Sequence, residues 1–340
     1  METKKTYIIA EIGPNHNGDI NLAFKMIEKL AKTGIDAVKF QITVPENAYS
    51  ADAFKVDYQK NNESSKSPLE MSKKYLLTFE QHRLLYEKCR ECKLDYICSA
   101  FEMESLKFID QHFDMPFFKI PSGEIFSVDL IAYMAEKNRP FILSTGMATF
   151  DEIETSIELI NQNFKKEITI LHCISNYPAP PEDVNLNTML ELKRRFDYPI
   201  GFSDHTEGND AAIAAVAMGA TMIEKHVTLD KNLPGPDHKA SITIEEFASL
   251  VKSIRNVEKM MGKFEKTFSE AELKIKSAVR KSIVSKGDLP QGHILTEADI
   301  CYKRPGTGIS PIEKDRVIGK RLKEAIDGNR LIHWEQLENE

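Results

Sequence analysis

His205 and His226 each close a short apolar run, and each follows a polar residue two positions earlier, Ser203 and Glu224. Lys39 and Gln41 repeat that spacing within Val38–Ile42. Glu11 closes Tyr7-Ile8-Ile9-Ala10, Lys119 precedes Ser122-Gly123-Glu124, and Ser144 closes Phe141-Ile142-Leu143. In an extended strand, residues i and i+2 point to the same side, so these pairs share a face. Two imidazoles with Glu11, Glu224 and Asp237 nearby form the donor set of a divalent cation that keeps positions open for substrate. Lys39 and Lys119, with the hydroxyls of Ser122, Ser144 and Ser203, suit a phosphate or a carboxylate. Together they describe metal-assisted chemistry on a phosphorylated anion. A lone strand-end histidine is more simply a hydrogen-bonded structural group. Charges repeated at the same ends of successive apolar runs are costly to bury, and they mark a site.

The elements that hold these residues alternate regularly. Strand-like runs occur at Tyr7–Glu11, Asp36–Gln41, Tyr96–Phe101, Phe117–Ser122, Pro140–Thr145, Ile168–Cys173, Ile200–His205 and Met222–Val227. Helical patterns separate them, and Thr78-x-x-Gln81, Thr149-x-x-Glu152 and Thr243-x-x-Glu246 mark helix starts as capping boxes. This alternation predicts an α/β fold, a (β/α)8 TIM barrel, rather than an open doubly wound sheet with its glycine fingerprint. The C-terminal strand ends of such a barrel form its catalytic rim, where the polar set falls. Residues 43–77 make a long polar connection on that face, expected to be a substrate lid, with a disordered insertion as the alternative. The barrel is expected over 1–265, a charged linker over 266–281 and a small β-rich domain over 282–340. In that tail, Gly292–Ile300 loosely repeats as Gly328–Leu337. So short a segment has a marginal core and is expected to lean on a barrel, its own or a second chain's.

The 340 residues are 41% hydrophobic and 29% charged, which describes a globular chain. Lys and Arg number 45 against 52 Asp and Glu, a net charge of −7, which argues against nucleic acid or anionic membrane as partner. No apolar stretch reaches the length of about 18 residues that a membrane span needs. Five cysteines are too few and odd for a disulfide framework, so a cytoplasmic location is expected. Cys89-x-x-Cys92 lacks a second pair and reads as chance spacing on a helix. Met260-Met261 reads as core, and His16 in Pro14–Gly18 as either a backbone-fixing group or a substrate contact.

Several motifs, in chain order, carry a resemblance. They are Glu11-Ile-Gly-Pro-Asn-His-Asn-Gly18, Val38-Lys-Phe-Gln41, Lys119-Ile-Pro-Ser-Gly-Glu124 and Leu143-Ser-Thr-Gly-Met147. Asn176-Tyr-Pro-Ala-Pro180, Gly201-Phe-Ser-Asp-His205, Ile223-Glu-Lys-His226 and Gly235-Pro-Asp-His238 follow, with Lys303-Arg-Pro-Gly306 in the tail. The chain resembles the bacterial sialic acid (N-acylneuraminate and legionaminate) synthases with a C-terminal antifreeze-like SAF domain. The resemblance implies a transferase that condenses phosphoenolpyruvate with an N-acetylmannosamine-type aldehyde, releasing phosphate and forming a nine-carbon 2-keto sugar acid. N-acetylneuraminate synthase is the first expectation. The alternative is N,N'-diacetyllegionaminate synthase acting on 2,4-diacetamido-2,4,6-trideoxymannose, followed by a non-catalytic carbohydrate-binding protein.

By the same resemblance, His205 and His226 would bind a divalent metal, Mn²⁺ first, with Mg²⁺ or Co²⁺ as alternatives. Glu11 would hold water or a sugar hydroxyl, and Glu124 and Asp237 would move protons. Lys39, Gln41, Ser99, Lys119, Ser122, Ser144 and Ser203 would cradle phosphoenolpyruvate, and Tyr177 would touch the sugar. Arg304 would reach the sugar's N-acyl group across a domain-swapped homodimer. Two positions depart from the family: Cys98-Ser99-Ala100-Phe101 replaces Ser-Thr-Pro-Phe, and Ser175 replaces Asn or Thr.

Overall fold

Branched and aromatic runs form eight parallel strands in the computed structural model, which describes residues 5–338. They are β1 (Tyr7–Glu11), β2 (Ala37–Ile42), β3 (Asp95–Ala100), β4 (Phe118–Ile120), β5 (Phe141–Ser144), β6 (Ile168–Cys173), β7 (Ile200–Asp204) and β8 (Met222–Thr228). The ladder runs β3-β2-β1-β8-β7-β6-β5-β4, and β3 lies beside β4, closing a (β/α)8 TIM barrel. A two-residue strand, β9 (Ile242–Thr243), adds onto β8. Thr78, Thr149 and Thr243 each cap a helix through the expected box, beginning Phe79–Glu91, Phe150–Ile160 and Ile244–Met261.

Strand parity sorts the barrel interior into layers. Ile9, Ala37, Ile97, Ile142, Leu171 and Met222 pack with Tyr7 and Phe117 into an apolar plug. Two residues onward from these stand Glu11, Lys39, Ser99, Ser144, Cys173, Glu224 and Lys119, all buried. Gly201 occupies the plug level on β7, where a Cβ would lie 2.5 Å from Leu171 Cδ2 and 2.6 Å from the Met222 carbonyl. The alternate residues, such as Ile8, Val38, Phe40, Leu143 and Phe202, join the helices in the main core.

The connection after β2 is structured, which overturns the disordered alternative. It holds three short helices, Pro45–Ala48, Asp57–Asn62 and Pro68–Tyr75. Its polar residues are spent on a buried clamp. Glu63 accepts from Lys55 Nζ at 3.2 Å, Lys74 Nζ at 2.8 Å and the Ser65 amide at 2.7 Å. A second expectation also fails. Met260 and Met261 are exposed rather than core, because the buried stripe of helix Ile244–Met261 ends at Ile254.

The chain divides into two compact units at Gly262. In the second unit, helix Glu270–Val279 occupies most of the expected linker and buries none of its residues. Strands β10 (Ser282–Ser285) and β11 (Ile300–Lys303) pair antiparallel over a core that includes Ile283, Leu295, Ile300, Leu322 and Ile332. The internal repeat has a structural counterpart. Thr296 with Asp299 and His333 with Gln336 cap equivalent 3-10 turns, each leading to a buried residue, Ile300 and Leu337. All five cysteines are free. Among the described residues, no helix is long and apolar enough to cross a membrane.

Candidate active site

A cavity of about 410 Å³ opens at the C-terminal ends of the strands. Its floor is charged because the layer above the apolar plug is. Glu11 places Oε2 2.9 Å from Lys39 Nζ and accepts from Gln41 Nε2 at 2.7 Å. Glu224 is shared: Oε1 lies 3.7 Å from Lys39 Nζ, Oε2 lies 3.5 Å from Lys119 Nζ, and Ser203 Oγ donates to it at 3.2 Å. Lys119 also donates to Ser144, and Ser122 Oγ accepts the Gly146 amide at 2.9 Å.

The charges regulate one another. Burial alone would discharge Lys39, but Glu11 and Glu224 outweigh it and hold its pKa above the ordinary lysine value. Burial prevails at Lys119, whose pKa is lowered despite Glu224. Burial, reinforced by Glu11, pushes the Asp237 carboxyl up to about 7. The floor thus holds two carboxylates against two amines, with the amines able to turn toward an arriving anion.

The two histidines stand at the upper edge. Their ring centroids are 5.4 Å apart. His205 Nδ1 donates to the Ile174 carbonyl at 2.7 Å, which leaves Nε2 as a lone-pair donor. His226 Nδ1 is buried without a hydrogen-bond partner, 3.7 Å from Asp237 Oδ2. Among the described residues, no three His, Cys, Asp or Glu side chains gather as a metal cage. Two adjacent imidazoles, His205 with its Nε2 turned from the Ile174 bond and His226 with an orphaned Nδ1, fit a divalent cation whose other positions are left to water or substrate.

Behind the histidines lies a tie outside the barrel lumen. Lys225 Nζ donates to Asp204 Oδ2 at 2.6 Å and to the Thr206 carbonyl at 2.8 Å. Asp204 and Lys225 are one position out of phase with His205 and His226, so the pair fastens the ends of β7 and β8 from the helix side.

Eleven of the expected site residues line this one cavity: Glu11, Lys39, Gln41, Lys119, Ser122, Ser144, Tyr177, Ser203, His205, His226 and Asp237. Three expected residues stand elsewhere. Ser99 follows Ile97 in strand parity but is wholly buried, its hydroxyl unpartnered, and it is not part of the cavity wall. Glu124 ends the 3-10 turn Ser122–Glu124, accepts from Ser127 Oγ and faces a neighbouring cleft with Glu102 and Asp129. Arg304 is exposed just after β11 in the second unit. His16 accepts the Gly18 amide at 3.1 Å, which is the backbone-fixing reading, and it also borders the cavity. The sequence reading missed the cavity's outer wall, in which Tyr49, Tyr58, Met71 and Tyr75 come from the 43–77 connection. Their only signal was aromatic residues in an otherwise polar stretch.

Comparison with known proteins matches residues 26–266 to the NeuB family and residues 280–338 to the SAF domain. The chain is 43% identical over 332 residues to the N,N'-diacetyllegionaminic acid synthase of Campylobacter jejuni, covering 97% of this chain and 99% of that protein. It is 40% identical over 337 residues to the enzyme of the same name from Legionella pneumophila, covering 98% and 94%. Among solved structures, a sialic acid synthetase from Leptospira borgpetersenii in complex with citrate superposes with a TM-score of 0.72 at 30% identity. The match covers 80% of this chain and 90% of that one.

Proposed function

Because the chain belongs to the NeuB family and ends in a SAF domain, we propose that it is an N,N'-diacetyllegionaminate synthase. The enzyme is a carbon–carbon bond-forming transferase, and its proposed substrates are phosphoenolpyruvate and 2,4-diacetamido-2,4,6-trideoxymannose. The relatives at 43% and 40% identity support this sugar over N-acetylmannosamine, the first expectation from sequence. The observation that carries the chemistry is the two-lysine floor beneath a two-histidine rim.

Lys39 and Lys119 receive the phosphate and carboxylate of phosphoenolpyruvate, exchanging part of their pairing with Glu11 and Glu224 for the new anion. Ser122, Ser144 and Ser203 supply hydroxyl donors at that depth, where charge-assisted hydrogen bonds are strong. The sugar aldehyde lies above, against Tyr177. A divalent cation, proposed as Mn²⁺ and held by His205 and His226, would supply Lewis acidity at the aldehyde oxygen. C3 of phosphoenolpyruvate bonds to the aldehyde carbon, water adds at C2, and the resulting tetrahedral centre expels phosphate as the C2 ketone forms. Asp237, 3.7 Å from His226, and Glu11, beside Lys39 and Gln41, are the groups proposed to move the protons that this exchange requires.

The test is phosphate release with Mn²⁺, phosphoenolpyruvate and each of the two sugars, with mass spectrometry of the product. Turnover that favours the diacetamido sugar and disappears with chelator is expected. Turnover of N-acetylmannosamine alone would make the enzyme an N-acetylneuraminate synthase instead. For the exposed Arg304, the proposal is a domain-swapped homodimer in which it serves the other copy's site. A chain that sediments as a monomer while fully active would overturn that.

A further inference from the structure

The cavity floor accounts for the anion, but its outer wall has no role in that account. Tyr49, Val56, Tyr58, Met71 and Tyr75 reach the cavity from the 43–77 connection, beside the polar Thr43, Gln59 and Ser72. Tyr58 is half-buried, and its ring lies 5.1 Å from the ring of Tyr177 at 33°. Tyr177 in turn lies 4.1 Å from the His205 ring at 32°. Three rings thus follow one another in tilted contact from the rim, His205, Tyr177 and Tyr58.

This wall is held in place. Glu63 is clamped by Lys55, Lys74 and Ser65, as above, and Lys73 pairs with Glu46 to join the third short helix to the first. Asn62 Nδ2 donates to the Pro236 carbonyl at 3.1 Å, which anchors helix Asp57–Asn62 beside Asp237. The ring of Tyr58 therefore does not have to be ordered when a sugar arrives, and its contact area is available at low entropic cost.

We infer that Tyr58 is a specificity-determining residue that selects aminohexoses with apolar substituents at C4 and C6. The inference rests on the proposed condensation, which puts C1 of the sugar at the histidines and so turns C4 to C6 toward the rings of Tyr177 and Tyr58. Hydroxyls at C4 and C6 that face the ring of Tyr58 would lose water without a hydrogen-bond partner from that face to replace it. An acetamido methyl at C4 and a methyl at C6 instead gain by leaving water against aromatic faces.

The experiment compares wild type, Tyr58→Ala and Tyr58→Phe. It measures kcat/KM for 2,4-diacetamido-2,4,6-trideoxymannose and for N-acetylmannosamine, with the phosphoenolpyruvate KM and the thermal midpoint recorded for each. Tyr58→Ala is expected to cut the ratio of the two kcat/KM values by about tenfold or more, through the KM of the diacetamido sugar. Tyr58→Phe keeps the ring and is expected to keep the ratio, and the phosphoenolpyruvate KM should not move in either variant. If Tyr58→Ala fails to fold, Tyr58→Leu retains the bulk without the ring and gives the same test. An unchanged ratio, or equal losses on both sugars, overturns the inference and leaves the proposed function standing. Wild type that releases no phosphate with either sugar, or that prefers N-acetylmannosamine, overturns the proposed function and the inference together.

Discussion

Glu224 is shared between Lys39 and Lys119, so an incoming anion competes with a carboxylate already in place. Lys119→Met removes a buried cation and should weaken phosphoenolpyruvate binding by roughly 30-fold or more, the low end for losing one partner of a buried charge pair. The sugar KM should stay unchanged, and titration calorimetry with phosphoenolpyruvate alone reads the effect directly. Affinity that stays close to wild type would remove Lys119 from the cradle. Lys225 makes a different case, because it touches no substrate. Lys225→Met leaves Asp204 buried with its counter-charge gone, and should cost about 3–5 kcal/mol in denaturant unfolding at an unchanged m-value. A cost under about 1 kcal/mol would mean that the tie does not hold the ends of β7 and β8 together. Parity made most of these residues legible: counting in twos from apolar positions finds Lys39, Ser144, Glu224 and His226. The same rule placed Ser99 on the correct face but could not give its depth. It also lapsed at Glu124, where β4 has already turned into a 3-10 helix.

The element that sequence read least well is the 43–77 connection. Its composition is that of a solvated loop, and hydrophobic periodicity says nothing about a structure organised around one carboxylate. Local signals for two of its helices were nevertheless there, Pro45 and Pro68 at first-turn positions and Ser67 accepting the Glu70 amide as N-cap. The contact of Tyr58 with Tyr177 spans the barrel mouth and had no local signal at all. Glu63 is the group on which this element depends. Lys74, Ser65 and Lys55 outweigh burial and hold its carboxyl down to about 2. Its clamp is therefore fully present above the ordinary carboxylate range near 4.5 and is lost only as pH falls toward 2. Glu63→Gln should open the connection at neutral pH. Trypsin should then cut within residues 55–74 much faster than in wild type, and the sugar KM should rise while the phosphoenolpyruvate KM holds. Equal cleavage rates in the two proteins would show that other contacts fix the wall.

Across the chain, the barrel and the small β-rich tail were legible because strand and helix patterns alternate up to Gly262 and then stop. The helix Glu270–Val279 was not told from a linker, since its charged residues and lack of a buried face carry no packing signal. A property of the folded barrel that no local pattern announces is its set of buried neutral histidines. His16, His82 and His238 sit behind or beside the site, and His82 Nδ1 shares a 2.7 Å hydrogen bond with the Tyr96 hydroxyl. Burial lowers the pKa of His16 and His238 to about 4 and that of His82 to about 3. Between pH 6.5 and those values the unfolded chain binds protons that the folded chain refuses, so stability rises with pH across that window. It is fully present above 6.5 and is lost as pH falls, at up to about 1.4 kcal/mol per pH unit for each fully buried histidine. Carboxylates titrate in the lower part of the same window, so the decisive quantity is a difference between proteins. Urea unfolding of wild type and His82→Gln at pH 7.5, 6.0 and 5.0 isolates one histidine. The variant should lose less stability on acidification, by close to one proton's worth of slope. Parallel curves would mean that His82 takes up a proton in the folded barrel, and that Tyr96 or an ordered water stabilises the imidazolium there.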